Sequence, residues 1–251
     1  MIHLYYYTSP NARKALMMLE EVGLPYEVHW TDISTGDQYA PSYGAINPNR
    51  KIPAIVDHEG PSGRPVSVFE SGAILLYLAE KTGRLLPQDP ARRWSVIQWL
   101  FWQTSSQGPL LGQAAHFVSH AANRGVEAEY AVDRYRREAQ RLYGVLELRL
   151  AGREYIDDEF SIADIASFPW VRVAKGQGVD ISEYPNVKRW CDAVAQRPSA
   201  RKKLDRDDAT KAAARVNYYT DETWNVLFGG KAPVCSLLSD APVSQPKATQ
   251  P

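Results

Sequence analysis

Along roughly the first third of the chain, segments with the hydrophobic pattern of a strand alternate with segments that have the pattern of a helix. Short β-rich runs at Ile2–Tyr7, Tyr26–Ile33, Lys51–Asp57 and Pro65–Glu70 predict strands. Apolar residues with helical spacing run from Asn11 to Val22 and over Ser71–Gly83, and each run stops at a glycine. Glycine and proline between the last two strands predict a hairpin. The pattern therefore predicts the order βαβ–ββα on a mixed sheet.

Beyond this part the pattern predicts helices alone. Arg84–Pro90 is proline-rich and aperiodic, which is typical of a linker. Helical spacing follows at Arg93–Gln103 and Glu127–Gly152, and again in "SIADIASFPWV" and "YPNVKRWCDAVAQRP". We therefore predict an α/β thioredoxin-like N-terminal domain over residues 1–85, an all-α domain over 91–225 and a C-terminal tail over 226–251.

Composition and charge limit the partners and the cellular compartment that we expect for this fold. Lys plus Arg and Asp plus Glu both number 29, so the net charge is near zero, which argues against nucleic acid as a partner. No apolar run approaches the ~18 residues of a membrane span. Met1 leads into a strand without a basic stretch or cleavage site, which argues against a secretory signal. Cys191 and Cys235 form neither a disulfide framework nor a metal motif, so a reducing cytoplasm is expected.

Seven segments together carry a family resemblance. They are "SPNARK", "NPNRKIPAIVD", "FESGAILLYLAEKTG", "QWLFWQ", "GPLLGQ", "DRYRRE" and "SIADIA". Over about residues 1–200 the chain resembles the glutathione transferases, and most closely their nu class, a bacterial and fungal group that includes the yeast nitrogen regulator. The resemblance implies glutathione as co-substrate, an active site in the cleft between the domains, and a homodimer.

The first strand and helix are joined by a turn without a cysteine, "TSPN". Ser9 offers a hydroxyl and Asn11 an amide at the start of a helix, and such donors favour a bound thiolate. The nu class commonly has Thr-Pro-Asn here, so the role of the hydroxyl transfers to Ser9. Thr8 supplies a second hydroxyl, and which of the two faces the sulfur stays open. We assign Ser9, Asn11 and Thr8 as catalytic candidates.

Two further motifs are candidates for holding the tripeptide. Pro53 removes a ladder hydrogen bond, so it belongs at a strand edge or bend. The resemblance implies a cis bond there, with the backbone of Ile52 pairing with the cysteinyl part of glutathione. Glu70 and Ser71 stand where a strand meets a helix, whose start favours a carboxylate. We expect Ser71 to bind the γ-glutamyl carboxylate and Glu70 its ammonium, although Ser71 alone would also suit an N-cap.

Further positions are assigned ligand, structural or packing roles. Gln38 and Lys51 match positions near the peptide, and Arg134 matches an arginine that reaches a glutathione carboxylate, although a solvated role is equally open. The Gly108-Pro109 break is expected to interrupt a helix and shape the second-substrate pocket. Ser161 and Asp164 have capping-box spacing and a folding role. The aromatic residues of the "WSVIQWLFWQ" segment are expected to pack in the core and between domains: Trp94, Trp99, Phe101 and Trp102.

No metal site is expected at the five histidines, which are His3, His29, His58, His116 and His120.

These features favour a glutathione-dependent enzyme. The second substrate is expected to be an electrophilic, thioether or disulfide small molecule, and disulfide reduction, conjugation and thioether cleavage all remain open. The alternatives are a regulatory protein of the same fold, and a redox protein acting through its own cysteine.

Tyr218, Tyr219 and Trp224 are expected either to cover the pocket or to pack outside it.

Overall fold

The structure is a computed structural model that describes residues 1–206 and 220–229. Its N-terminal part is a four-stranded mixed sheet in the order β2-β1-β3-β4. The strands are β1 (Ile2–Tyr6), β2 (Tyr26–Trp30), β3 (Ala54–Asp57) and β4 (Val66–Phe69). β1 runs parallel to β2 and antiparallel to β3, and β3 runs antiparallel to β4. This is the predicted thioredoxin-like arrangement.

Two helices cover one face of the sheet. α1 (Pro10–Val22) and α3 (Ser71–Thr82) pack against each other, and alternate residues of β1, namely Ile2, Leu4 and Tyr6, are buried in the same core. The period of two sends His3 and Tyr5 to the opposite face. Gly23, with φ of 69°, ends α1 in the left-handed conformation that glycine adopts without steric cost.

One helix of this part was not predicted. α2 (Pro41–Ile46) lies between β2 and β3, in a segment without apolar periodicity. It is only six residues long, and it stays in place through tertiary contacts such as that of buried Tyr43, whose hydroxyl donates to the Lys51 carbonyl at 2.6 Å. Short helices of this kind depend on packing more than on local sequence.

The described C-terminal part is helical, as predicted. Its main helices are α4 (Pro90–Trp102), α5 (Gly108–Ala115), α6 (Glu129–Leu150), α7 (Ile162–Val171), α8 (Pro185–Ala195), α9 (Pro198–Arg201) and α10 (Asp221–Leu227). α1 packs on α7, and one continuous hydrophobic core joins the two parts. No described helix combines the length and apolar character needed to cross a bilayer.

The packing prediction for the tryptophan-rich segment is wrong for two of its residues. Trp99 and Trp102 pack against the core, and their rings meet edge to face. Trp94 and Phe101 are 68% and 62% exposed. They lie seven residues apart, which places them on one outward face of α4. Whether Tyr218, Tyr219 and Trp224 cover the pocket or pack outside it was left open. Tyr218 and Tyr219 lie outside the described residues. Trp224, on α10, packs its ring against His116 with centroids 5.5 Å apart.

Candidate active site

Strand register brings the predicted motifs to one edge of the sheet. Ala54 lies opposite both Tyr5 and Phe69. The residue before Ala54, Pro53, therefore stands at the edge where β1 leads into α1 and β4 leads into α3. The Ile52–Pro53 bond is cis, as the resemblance implies. A cleft at this edge is lined by Asn11, Lys14, Glu70, Ser71, Gln103, Thr104, Gly108, Pro109, Gly112 and Trp170.

Asn11 is held in one orientation by a residue of the helical part. The indole Nε1–H of Trp170, on α7, donates to Asn11 Oδ1 at 3.0 Å. Because an indole can only donate, the amide oxygen must face Trp170 and the NH₂ group must face elsewhere. Asn11 also lines the cleft. The contact therefore leaves a fixed amide donor among the groups that line the cleft.

Ser9 has a structural role in the same turn. It is the N-cap of α1, and its Oγ accepts from the Ala12 backbone N–H at 3.1 Å. A hydroxyl that accepts one bond can still donate its own hydrogen. Capping and the predicted contact with sulfur are therefore compatible. Thr8 lies between β1 and this cap and is half-buried. Neither hydroxyl is among the cleft-lining groups, so their catalytic roles stay predictions.

The start of α3 forms another wall of the cleft. Glu70 has φ of 67°, in the left-handed region that non-glycine residues seldom adopt and that is often retained at functional sites. Its side chain is exposed, and Asn49 Nδ2 donates to its Oε1 at 3.3 Å. Ser71 is the first residue of the helix and is buried. The unpaired N–H groups of a helix start make this wall suited to an anion.

A buried lysine beneath this wall escaped the sequence analysis. Lys14 is only 1% exposed, and its Nζ donates to Ser71 Oγ at 3.2 Å and to Gln103 Oε1 at 2.6 Å. Burial lowers the pKa of Lys14 to about 7, although the charge of Glu70 raises it. A lysine with such a pKa in a cleft is typical of a functional site. The sequence could have indicated Lys14 through its spacing, because it follows Asn11 by three residues and so lies on the same face of α1.

Gln103 places a buried amide nitrogen beside Lys14, which the sequence did not predict. Its Oε1 faces Lys14, which leaves Nε2 as the other end of a fully buried amide. This Nε2 has no hydrogen-bond partner within the described part of the chain. A buried donor without a partner is costly, so a polar ligand atom in the cleft would relieve it.

At the predicted Gly108-Pro109 break, the helix does not end but widens into a π-helical turn. The chain passes from α4 through a π-helical turn, Gln103–Gln107, directly into α5. The wider turn accommodates Pro109, which has no N–H, without ending the helix. Gly108 and Pro109 both line the cleft, while their role in choosing a second substrate stays a prediction.

The backbone before Pro53 is held by hydrogen bonds from two side chains that do not line the cleft. The Lys51 carbonyl accepts from Tyr43 Oη and from Asn47 Nδ2, both at 2.6 Å. The Lys51 side chain is exposed and Ile52 is half-buried. These contacts fix the segment that is predicted to pair with the cysteinyl backbone, and none of its residues is among those that line the cleft.

The other two predicted ligands lie outside the cleft lining. Gln38 is buried, with Nε2 donating to the Ile33 carbonyl at 3.3 Å and Oε1 without a hydrogen-bond partner in the described residues. Arg134, on α6, has a side chain that is 56% exposed and lies 3.8 Å from Glu138. Their binding roles stay predictions.

The chain's own described cysteine is unsuited to thiol chemistry. Cys191 lies buried on α8, and burial raises the pKa of its thiol to about 11. A thiol with so high a pKa is almost fully protonated at neutral pH and is a poor nucleophile. Cys235 lies outside the described residues.

Comparisons with known proteins place the chain in a family. Residues 8–81 match the glutathione S-transferase N-terminal domain, and residues 110–198 match the C-terminal domain. The chain is 47% identical over 201 residues to the disulfide-bond oxidoreductase YfcG of Escherichia coli, covering 79% of this chain and 92% of that protein.

Solved structures agree. A glutathione transferase from Pseudomonas putida, with one glutathione disulfide bound per subunit, is 44% identical with a TM-score of 0.76, covering 79% of this chain and 88% of the other. One from Burkholderia graminis, with two glutathione molecules per subunit, is 48% identical with a TM-score of 0.75, covering 79% and 85%. The chain belongs to the glutathione S-transferase family.

Proposed function

We propose that the protein is a nu-class glutathione transferase whose main activity is the glutathione-dependent reduction of small disulfides. The observation that carries this proposal is the cleft that Asn11 lines with its amide oriented by Trp170, beside the start of α3 and with no cysteine in the turn. The relative in Escherichia coli is named a disulfide-bond oxidoreductase, and structures of two other relatives hold either a glutathione disulfide or two glutathione molecules. A cleft that holds two sulfur-bearing tripeptides is what disulfide exchange requires.

The chemistry uses sulfur supplied by the substrates. A bound glutathione thiolate attacks one sulfur of a disulfide, forms a new S–S bond and releases the other half as a thiolate. A second glutathione thiolate then attacks the mixed disulfide, which yields glutathione disulfide and the second reduced thiol. Two glutathione molecules are oxidised and one disulfide is reduced, so no protein thiol is needed. The protein's task is to hold the sulfur atoms in position and to favour the thiolate.

Asn11 is proposed to provide the stabilisation of the thiolate. A thiol of ordinary pKa near 8.5 is mostly protonated at neutral pH, and each unit of lowering takes ~1.4 kcal/mol of preferential interaction. One charge-assisted hydrogen bond supplies about 1.5–3 kcal/mol. The amide of Asn11 can supply it without reorganising, because Trp170 already fixes its orientation. Ser9 adds a hydroxyl donor at the start of the same helix.

The other ends of glutathione are assigned by charge. The α3 start with Ser71, supported by Lys14, receives the γ-glutamyl carboxylate, and Glu70 receives its ammonium. The Ile52 backbone pairs with the cysteinyl unit, while Gln38, Lys51 and Arg134 lie towards the glycyl end or a second tripeptide. We further propose a cytoplasmic homodimer with domains at 1–85 and 91–225, in which conjugation and thioether cleavage are side reactions of the same thiolate.

The decisive experiment is steady-state reduction of bis(2-hydroxyethyl) disulfide by glutathione, with glutathione binding measured separately by calorimetry. We expect turnover by the wild type, at least about a tenfold loss of kcat/KM in Asn11→Ala, and full activity in a Cys191→Ala/Cys235→Ala double variant. Asn11→Asp keeps the acceptor for Trp170 but places a charge beside the sulfur, so its loss should be greater.

The outcomes separate the alternatives. Tight glutathione binding without turnover of a disulfide, a glutathionyl thioether or an aryl halide would favour a regulatory protein of the same fold. Turnover of the thioether alone would favour a lyase. Loss of activity in the double cysteine variant, with glutathione binding intact, would favour chemistry through a protein thiol.

A further inference from the structure

A group of histidines lies on the sheet face opposite α1 and α3. His3 on β1 is paired with Glu27 on β2, and His29 follows Glu27 by two residues, so the three side chains share one face. His58 continues the ladder after β3, since its N–H donates to the Met1 carbonyl at 3.2 Å. None of these residues lines the cleft. They come from three separate segments of the chain, so sequence spacing alone does not reveal the group.

The donor atoms of three of these residues converge. The ligand atoms of His3, Glu27 and His29 lie within 4.8 Å of one another. Glu27 is central: its Oε1 lies 3.5 Å from His29 Nε2, and its Oε2 lies 3.9 Å from His3 Nε2. A tetrahedral zinc ion with bonds of about 2.1 Å separates its ligand atoms by about 3.4 Å. The observed separations approach that value.

The ring orientations also suit a metal. His3 Nδ1 lies 3.3 Å from His58 Nε2, so His3 can donate from Nδ1 and turn the lone pair of Nε2 towards Glu27. Metal-bound histidines commonly hold their second nitrogen in this way. The ring of Tyr5 stacks on His29 with centroids 5.0 Å apart, and His29 Nε2 is a buried atom without a hydrogen-bond partner in the described chain.

We propose that His3, Glu27 and His29 form a binding site for a divalent transition-metal ion of the Zn²⁺ type, with His58 orienting His3. Two imidazoles and a carboxylate suit Zn²⁺ better than Mg²⁺ or Ca²⁺, which prefer oxygen ligands throughout. The side chain of Glu27 is 63% exposed, so a fourth position is open to water. The inference is independent of the proposed function.

The test is a titration of the full chain with Zn²⁺ against a chromophoric chelator, in the absence of glutathione. We expect one ion per chain in the wild type, and affinity reduced by more than about 100-fold in both Glu27→Gln and His29→Gln. His58→Gln should lose about 10–100-fold, as expected for an orienting partner. His116→Gln is the matched control, because His116 belongs to a separate histidine pair, with His120, in the helical part of the chain. It should bind as the wild type does.

Thermal unfolding without metal separates a lost ligand from a damaged fold. Glu27 is largely exposed, so Glu27→Gln should unfold at the wild-type temperature without Zn²⁺ and lose only the increase that Zn²⁺ produces. Wild-type affinity in both Glu27→Gln and His29→Gln would overturn the proposal. So would a loss of binding confined to His116→Gln, or a wild-type chain that binds no Zn²⁺ at micromolar concentration.

Discussion

At the residue scale, the two hydroxyls of the turn give a choice that can be tested. Ser9 caps α1 through its oxygen and keeps its hydrogen available, so we predict that Ser9 rather than Thr8 contacts the sulfur. Ser9→Ala should cost ~1 kcal/mol of stability through the lost cap and at least about tenfold in kcat/KM. Ser9→Thr should restore both, because threonine supplies the same hydroxyl. Urea unfolding and disulfide turnover measure the two effects.

Thr8→Val is the control for this assignment. It preserves shape while removing the hydroxyl, and turnover should stay within about twofold of wild type on the usual scale of changes outside a site. The opposite result, with activity lost in Thr8→Val and kept in Ser9→Ala, would transfer the role to Thr8 and leave Ser9 as a cap alone.

Lys14 gives a pH-dependent prediction. With a pKa of about 7, Lys14 is mostly neutral at pH 8, and a carboxylate bound beside Ser71 would favour the ammonium form. Ligand binding at pH 8 should therefore take up a proton. Below about pH 6 the uptake should vanish, because the lysine is already protonated in the free protein.

S-methylglutathione makes this measurement selective, since it keeps the carboxylates and the ammonium but has no ionisable thiol. Calorimetry at pH 8 in buffers of different ionisation enthalpy gives the number of protons taken up. Lys14→Met is the matched variant, of similar length and without charge, and it should bind with less uptake than the wild type. Equal uptake in both proteins would show that Lys14 does not sense the bound carboxylate.

At the element scale, the start of α7 is held by a side chain outside the cleft. Asp164 is fully buried; its Oδ1 accepts from Ile156 N–H and Trp190 Nε1–H, and its Oδ2 from the N–H and hydroxyl of Ser161. It thereby ties the loop after α6 and helix α8 to α7. The predicted capping box is confirmed, and its reach to Trp190 is an addition that only the fold reveals.

Asp164→Asn should therefore destabilise the fold more than the loss of the cap alone. The amide keeps one acceptor oxygen but turns an NH₂ group towards donors, which costs about 2–4 kcal/mol. Ser161→Ala, which removes only the capping hydroxyl, should cost ~1 kcal/mol. Urea unfolding gives both values. Glutathione affinity at low temperature should be unchanged in the folded protein, and a selective loss of affinity at unchanged stability would contradict the purely structural role.

Elements with a clear hydrophobic period could be predicted from the sequence, and those without one could not. The four strands and the long helices have such a period, and they formed with their ends shifted by a few residues. α2 has no such period and depends on the packing of Tyr43, whose hydroxyl donates to the Lys51 carbonyl shortly before β3. The π-helical turn at Gln103–Gln107 looked like a break, because a Gly-Pro pair shows where a regular helix cannot continue but not how the chain adapts.

For the whole molecule, the motifs indicated the cleft but not its buried parts. Asn11, Glu70 and Ser71 were selected because each lies at a strand-to-helix junction, and strand register brings those junctions to one edge. Lys14 and Gln103 were missed because a charged or amide residue within a helix ordinarily faces water. Only the packing of α1, α3 and α4 shows that both are enclosed. The histidine group was missed for a related reason, since its members come from different strands.

The homodimer is the prediction that depends on the whole molecule. Trp94 and Phe101 expose 68% and 62% of their surface on one face of α4, and large aromatic residues exposed together are typical of an interface. We expect a second copy of the chain to cover them, so Phe101→Arg, which would bury a charge there, should yield monomers by light scattering at micromolar concentration. Val173→Arg, at a position 43% exposed beyond α7, is the matched control and should remain dimeric. A dimer that survives Phe101→Arg would place the interface elsewhere, and a monomeric wild type would remove any role for Arg134 that a partner subunit must complete.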